Sequence, residues 1–352
     1  MIGISMLTLN LEAAGGTLTH LEELARALAR VGELEYRVYA PSTAPGIGDG
    51  LETEVVREYR AGSGAGRLAG MAASAFRGGR LRRALRPEEL DAIHFPLGPM
   101  IPRLDSPPAA VTIHDLQHEA FPEFFSRTQL AYRRRVYGWS IRSSRIVIAV
   151  SEHGRQELIE RFGLDPARVR AIHNGVDHER FRPDARPREA FLLYPANAWP
   201  HKNHGRLFEA FAAVRRERPE LRLVLTGAAH ESLALPDGVE SLGHVSLDTL
   251  VDLYRSARAL VYPSLYEGFG IPCLEAMACG CPVACSDAAS LPEVCGDAAV
   301  YFDPLSPDSI AQAIRDVLDR PPAGGTERAA QFTWERCARE HDAVYRELAA
   351  HL

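Results

Sequence analysis

The chain has 352 residues, a net charge of −6, and 46% hydrophobic and 24% charged residues. That length exceeds one ordinary core, so two domains are expected. The acidic balance argues against a nucleic-acid partner, which needs a basic surface, and no apolar run reaches the roughly 18 residues that would span a bilayer.

Met1 leads straight into "IGISML" with no basic residue before it, which reads as a first core strand rather than a signal peptide and predicts a cytoplasmic protein. A loop with Gly15 and Gly16 follows, then a helix over 17–31 with Leu18, Leu21, Leu24, Ala25 and Leu28 at helical spacing. Strands are predicted at 35–40, 90–95, 109–113, 145–150 and 168–172. Ser151 is placed as the N-cap of a helix that runs to Phe162. The charged, proline-containing segment 180–189 reads as a linker. A second alternation follows, with strands at 191–195, 221–226, 258–262, 282–285 and 299–302 and helices at 203–217, 247–256, 271–279 and 306–319. After the break at 320–325, the tail 331–352 reads as one amphipathic helix. Alternating strands and helices imply parallel sheets covered on both faces. The expected domains are 1–184 and 185–330, with 331–352 as a closing helix.

Lys202, in "WPHKNH", is the only lysine among 40 basic lysine and arginine residues. It follows the strand "FLLYP" at the start of a helix, with Asn203 as the expected cap. A cation there opposes the helix dipole, at a cost of about 0.3–1 kcal/mol, unless an anion binds. Free helix N–H groups and an ammonium together make a phosphate site. The plain alternative is a solvated surface lysine. His201 and His204 flank it, but no third ligand lies nearby, so they read against a metal site.

In "YPSLYEGFGIPCLEAMACG" (262–280), Gly268 and Gly270 allow close backbone approach to a ligand, and Pro272 suits a first helical turn. Glu267 precedes that helix and Glu275 lies about one turn inside it. The two carboxylates read either as an acid/base pair or as hydroxyl binders, and a phosphate at Lys202 would favour hydroxyls. A glycine turn with a dipole-friendly Glu would explain Glu275 but not Glu267. "VTIHDLQH" sets His114 and Asp115 at a strand end, where sites of α/β sheets lie.

Five of the six cysteines fall between Cys273 and Cys295, in spacings that match no common zinc pattern and with no histidine among them. Core packing is the expectation. "GSGAGRLAG" (62–70) lacks the G-x-G-x-x-G spacing and reads as a flexible loop. Two arginine clusters (Arg77, Arg80, Arg82, Arg83, Arg86 and Arg133–Arg135, Arg142, Arg145) read as solvated helix faces, with contact to anionic lipid or a phosphorylated acceptor as the sharper option. No D-x-D triplet occurs, so no divalent metal is expected to hold a nucleotide sugar.

"EGFGIPCLE" resembles the E-x7-E signature of retaining glycosyltransferases of the GT-B fold, family 4. "TIHDLQH", "AVSEHGRQEL", "IHNGVD", "HKNH", "GHVSLDTLVDLYRSARALVYPSLYEGFGIPCLEAMACGCPVACSD" and "SLPEV" follow in that family's order. "YPANAWPHKNH" is most similar to bacterial mannosyltransferase-type members. The resemblance implies an α/β GT-B fold, two Rossmann-like doubly wound domains facing a central cleft, with the last helix crossing back to the first domain. It implies that Lys202 neutralises the donor diphosphate and that Glu275 binds the ribose hydroxyls. Glu267, with Gly268 and the backbone N–H groups of Phe269 and Gly270, would hold the donor sugar. Gly15 and Gly16 would lie against the diphosphate, His114 beside the transferred sugar, and His244 and Val245 at the edge of the base pocket. Asn197 stands where the family usually has a second cationic clamp, an arginine, so Arg206 or another arginine would have to compensate.

The activity implied is metal-independent, retaining transfer of a hexose, mannose among the candidates, from a GDP- or UDP-linked donor. The acceptor would be a saccharide or lipid-linked saccharide in surface polysaccharide or glycoconjugate synthesis, with peripheral contact at the inner face of the membrane through the N-terminal domain. The alternatives are a nucleotide-sugar epimerase of the same fold and a catalytically inactive nucleotide-sugar-binding module.

Overall fold

A computed structural model describes residues 1–9, 15–48, 50–57 and 78–350. The loop expected at 62–70 and Arg77 lie outside these residues. The chain forms two compact units, Met1–Gly175 with Trp334–Leu352, and Val176–Thr333. The charged segment 180–189 falls inside the second unit.

The first unit is built on seven parallel strands: β1 (Ile2–Ser5), β2 (Tyr36–Pro41), β3 (Glu52–Val56), β4 (Ala92–Phe95), β5 (Ala109–Ile113), β6 (Ile146–Ala149) and β7 (Val169–Ala171). Their order is β3-β2-β1-β4-β5-β6-β7. Its helices include α1 (Gly15–Val31), α2 (Gly78–Leu85), α3 (Gln117–Ala120), α4 (Arg127–Ser143) and α5 (Glu152–Phe162). Side chains alternate between the sheet faces. Ile146 and Ile148 enter one buried cluster, with α1 and the C-terminal helix, while Val147 and Ala149 enter another, with α2 and α4. Both faces are therefore covered, which is why these strands read as unbroken apolar runs.

The second unit has six parallel strands, β8 (Phe191–Pro195), β9 (Arg222–Thr226), β10 (Val239–Ser241), β11 (Ala259–Tyr262), β12 (Val283–Ser286) and β13 (Ala299–Phe302). They are ordered β10-β9-β8-β11-β12-β13. Between them run α6 (His204–Glu217), α7 (Leu247–Ser256), α8 (Ile271–Ala278), α9 (Leu291–Cys295), α10 (Pro307–Asp319) and α11 (Gly325–Ala329). The last helix, α12 (Trp334–Ala349), belongs to the first unit and packs along α1. Tyr36 and the N–H of Glu33 both donate to the buried Asp342 of that helix.

Each sheet reverses its strand order once, between β1 and β4 and between β8 and β11. In doubly wound sheets, ligands bind beyond the strand ends at this reversal. Among the described residues, no helix is long and apolar enough to cross a membrane.

Some expectations change. Gly15 and Gly16 are the first two residues of α1 rather than a preceding loop, which puts their N–H groups among those a helix leaves without intrahelical partners. Asn203 stands at the cap position of α6 in left-handed conformation (φ 60°), yet its side chain does not cap the helix. Its amide instead donates to the carbonyls of Pro263 and Pro304, at 3.1 and 2.7 Å.

Candidate functional site

Lys202 and Glu267 lie in the loops that follow β8 and β11, at the reversal of the second sheet. Lys202 ends the short 3-10 turn Pro200–Lys202, just before α6 rather than within it. Its ammonium donates to Glu267 Oε1 at 2.5 Å and to the Tyr262 hydroxyl at 3.0 Å. The two charged side chains are only 11% and 13% exposed, so this is a nearly buried ion pair. Burial raises the Glu267 carboxyl, but Lys202, helped by His201 and Ser264, outweighs it and holds the group below the usual carboxylate range. Tyr194 donates to the Lys202 carbonyl at 2.5 Å, and Asn203 ties the same turn to the end of β11.

The loop after β11 is shaped from behind. Ser290 donates to the carbonyls of both Glu267 and Phe269, each at 2.9 Å. Gly270 has φ 104°, which favours glycine, and a Cβ there would stand 2.5 Å from Leu291 Cδ2 and force that side chain to shift. Phe269 is buried against Phe332. Pro272 follows in the first turn of α8, as expected. Glu275, one turn in, is buried and accepts from the Tyr254 hydroxyl at 2.8 Å. Burial pushes its carboxyl up to about 7, opposed by that hydrogen bond. The two glutamates thus differ in kind. Glu267 is an ionised partner of a lysine, and Glu275, raised to about 7, has no cation beside it among the described residues.

Beside these strands lies a pocket of about 600 Å³, lined by residues that include Gly227, Ala229, His230, Leu235, Leu242 and His244. Val245 follows His244 and precedes Ser246, which caps α7. Gly227 is required because a Cβ would come within 2.9 Å of the backbone of Ala196 and Asn197. Asn197 accepts from the N–H of Ala228 at 2.7 Å, so this amide fastens the β8 loop to the β9 loop. Arg206 donates to Asn203 Oδ1 at 3.0 Å, which holds a guanidinium at the opening turn of α6.

In the first unit, His114 follows β5 and its Nε2 is 2.8 Å from the Pro96 carbonyl, just past the end of β4. A carbonyl only accepts, so Nε2 carries the proton. His20 stands edge-on to His114 at 4.8 Å and bonds Asn174 through Nδ1 at 2.8 Å. His94 and His341 extend the cluster, the former between Tyr345 and Thr112. Burial lowers all four imidazoles, and for His20 and His94 their neighbours lower them further. The side chains are therefore neutral at pH 7. Gly16 lies exposed at the start of α1.

Sequence reasoning missed Tyr254, Tyr262, Ser290 and the histidines around His114. Tyr262 alone carried a signal, as the last residue of a strand that ends at the reversal. Tyr254 and Ser290 lie in the stretches that resemble the family, but nothing in their spacing pairs them with Glu275 or the Glu267 loop, and the histidines come from distant segments.

Residues 176–333 match the family model "Glycosyl transferases group 1", and residues 14–180 match "Glycosyltransferase Family 4". The chain is 32% identical to O-antigen chain mannosyltransferase B of Escherichia coli over 266 residues, covering 68% of this chain and 70% of that protein. It is 30% identical to the MMP alpha-(1->4)-mannosyltransferase of Mycolicibacterium hassiacum, covering 62% of this chain and 59% of that protein. The fold is similar to that of sucrose-phosphate synthase from Thermosynechococcus elongatus, with a TM-score of 0.76 at 21% identity over 100% and 99% of the two chains. It is also similar to Anabaena HepE in complex with UDP and glucose, with a TM-score of 0.70 at 18% identity over 98% and 99%. The chain, with its two Rossmann-like parallel-sheet units, is a member of the family 4, group 1 glycosyltransferases of GT-B fold.

Proposed function

We propose that this glycosyltransferase moves a hexose, with mannose the first candidate, from a nucleoside-diphosphate sugar to a saccharide or lipid-linked saccharide. The observation that carries the reading is the Lys202–Glu267 pair at the β8/β11 reversal, with Glu275 buried one turn into the following helix. The mannosyltransferase names of two relatives support the choice of sugar, and the UDP complex of HepE supports a nucleotide donor.

In this reading the ion pair holds the site ready. The donor diphosphate replaces Glu267 as the partner of Lys202, and Glu267 turns its oxygens to the sugar hydroxyls. Gly268 and the backbone of Phe269 and Gly270 border the same sugar. Glu275, as a carboxylate, accepts from the ribose hydroxyls. The base lies by His244 and Val245. Arg206 supplies the positive charge that Asn197 does not, because Asn203 holds it at the same helix start as Lys202. Gly15 and Gly16 present helix N–H groups to the diphosphate, and His114 contacts the sugar as a neutral imidazole.

Transfer proceeds with retention. The acceptor hydroxyl attacks the anomeric carbon as the bond to the leaving phosphate oxygen breaks, and that oxygen takes the acceptor's proton. Protein groups position the reactants and stabilise charge. The absence of a D-x-D triplet and the presence of Lys202 favour neutralisation by side chains over a divalent metal ion. The exposed arginines Arg127, Arg134 and Arg135 of the first unit suit a lipid-borne acceptor at an anionic surface.

The test is a panel of UDP- and GDP-sugars, scored for thermal stabilisation and for slow donor hydrolysis. One donor class should stabilise the protein and be hydrolysed. Absence of stabilisation by every nucleotide would contradict the reading, and binding without turnover in the presence of acceptors would favour an inactive module.

A further inference from the structure

Three of the clustered cysteines meet in space. Cys273 lies in α8, Cys285 in β12 and Cys295 at the end of α9. All three are fully buried free thiols, and their sulfurs lie within 4.8 Å of one another. The Cys285–Cys295 sulfur separation is 3.9 Å. Cys279 and Cys281 are nearly as buried but stand outside this group, Cys281 pointing to the Ala257 carbonyl at 3.8 Å.

Burial alone is the ordinary state of a free cysteine. Convergence of three sulfurs is more specific. With a metal–sulfur distance of about 2.3 Å, three thiolates around one ion in a plane lie about 4.0 Å apart. The Cys285–Cys295 pair already has that spacing, and Cys273, within 4.8 Å of both, needs a shift of less than an ångström. A closed structural zinc site takes four ligands. Among the described residues, no histidine, carboxylate or further cysteine joins the three. Three soft ligands without a fourth suit a soft ion of low charge.

We propose that Cys273, Cys285 and Cys295 form a three-coordinate site for a soft, thiophilic monovalent ion of the copper(I) type. Binding forms three metal–sulfur bonds and releases three thiol protons to solvent, with no change of oxidation state. The ion offsets one of the three negative charges. The Arg328 guanidinium offsets a second, since it donates to the carbonyls of Glu293 and Val294 beside Cys295. The bound ion joins α8, β12 and α9 at one point. Cys273 is two residues before Glu275, and α9 is preceded by Ser290, whose hydroxyl holds the carbonyls of Glu267 and Phe269. The ion therefore braces the backbone behind the Glu267 loop. The site stands independently of the glycosyl-transfer reading.

The full chain, reduced and metal-free, is titrated anaerobically with copper(I) held by bathocuproine disulfonate. The protein should withdraw one equivalent, with a rise of several degrees in its thermal midpoint. Cys285→Ala and Cys295→Ala should each lower the affinity by at least about a hundredfold, while Cys279→Ala and Cys281→Ala leave it unchanged. X-ray absorption of the loaded wild-type protein should show three sulfur neighbours at about 2.3 Å, a readout that does not depend on any variant folding. Two sulfur neighbours, or equal uptake by the wild type and the Cys285→Ala/Cys295→Ala double variant, would overturn the proposal.

Discussion

The two units carry opposite kinds of chemistry at their strand reversals. The second sets a lysine against one carboxylate and buries another without a cation. The first gathers four neutral imidazoles, His20, His94, His114 and His341, with Asn174, Thr112 and Tyr345 as their partners. Charge that is paired at rest can be redirected to an anionic ligand. A buried neutral cluster resists protonation and offers hydrogen bonds without net charge. The comparison predicts that variants of the second unit act on nucleotide binding, and that variants of the first act on acid stability.

The largest effect should come from Lys202→Ala. It leaves Glu267 buried without its cation, which costs about 3–5 kcal/mol by the usual penalty for a broken buried pair. Transfer should be lost. Adding Glu267→Gln should restore much of the thermal stability but no activity. A double variant as unstable as the single one would show that the pair is not the source of the loss.

The next effect is at Glu275. Its carboxyl is raised to about 7, so the folded chain holds that proton more tightly than the unfolded chain. The resulting stabilisation is present at acid pH and fades as the pH rises through about 7. Nucleotide affinity should show the opposite slope, because ribose hydroxyls need the carboxylate. Glu275→Gln should weaken nucleotide binding by about 1.5–3 kcal/mol and flatten its pH profile in calorimetry. Tyr254→Phe should move the midpoint to higher pH, since the tyrosine bond favours the ionised form.

The histidines act with the reverse sign. Burial lowers them, to about 4 for His341, so the unfolded chain takes up their protons first. Their contribution is whole above about 6.5 and is lost as the pH falls towards 4. Melting temperatures over that range should fall less steeply in His341→Gln than in the wild type. A parallel fall would detach acid sensitivity from the cluster. The smallest effect is expected for Ser290→Ala, which removes one hydroxyl proton shared between two carbonyls, worth about 1 kcal/mol. It should raise the donor KM several-fold with little change in kcat. An unchanged KM would show that the Glu267 loop keeps its shape without the serine.

The same contrast explains what could be read from the amino-acid order. The buried strands β5 and β8 were legible to the residue, because an apolar run bounded by polar turns has one reading. The edge strands β3 and β10 were not. "ETEVV" is mostly half-exposed and carries charges, as edge strands do. The arginines of α4 read as a solvated helix face, but its bounds were not assigned, although its Ser126–Gln129 capping box is a local signal. Lys202, Glu267 and Glu275 were legible because each belongs to a short segment at a strand end. Asn203 looked like a cap, but the left-handed backbone turns its amide towards Pro263 and Pro304. The histidine cluster joins residues from 20 to 341 and is visible only once the sheet and α12 bring them together.

The central claim is that the second unit binds a nucleoside diphosphate through Lys202 and ionised Glu275. Calorimetric titration of the wild-type protein with GDP and with UDP, at pH 6 and pH 8, tests it directly. One of the two nucleotides should bind with one-to-one stoichiometry and more tightly at pH 8. Absence of binding by both, or an affinity that does not change between the two pH values, would contradict the account.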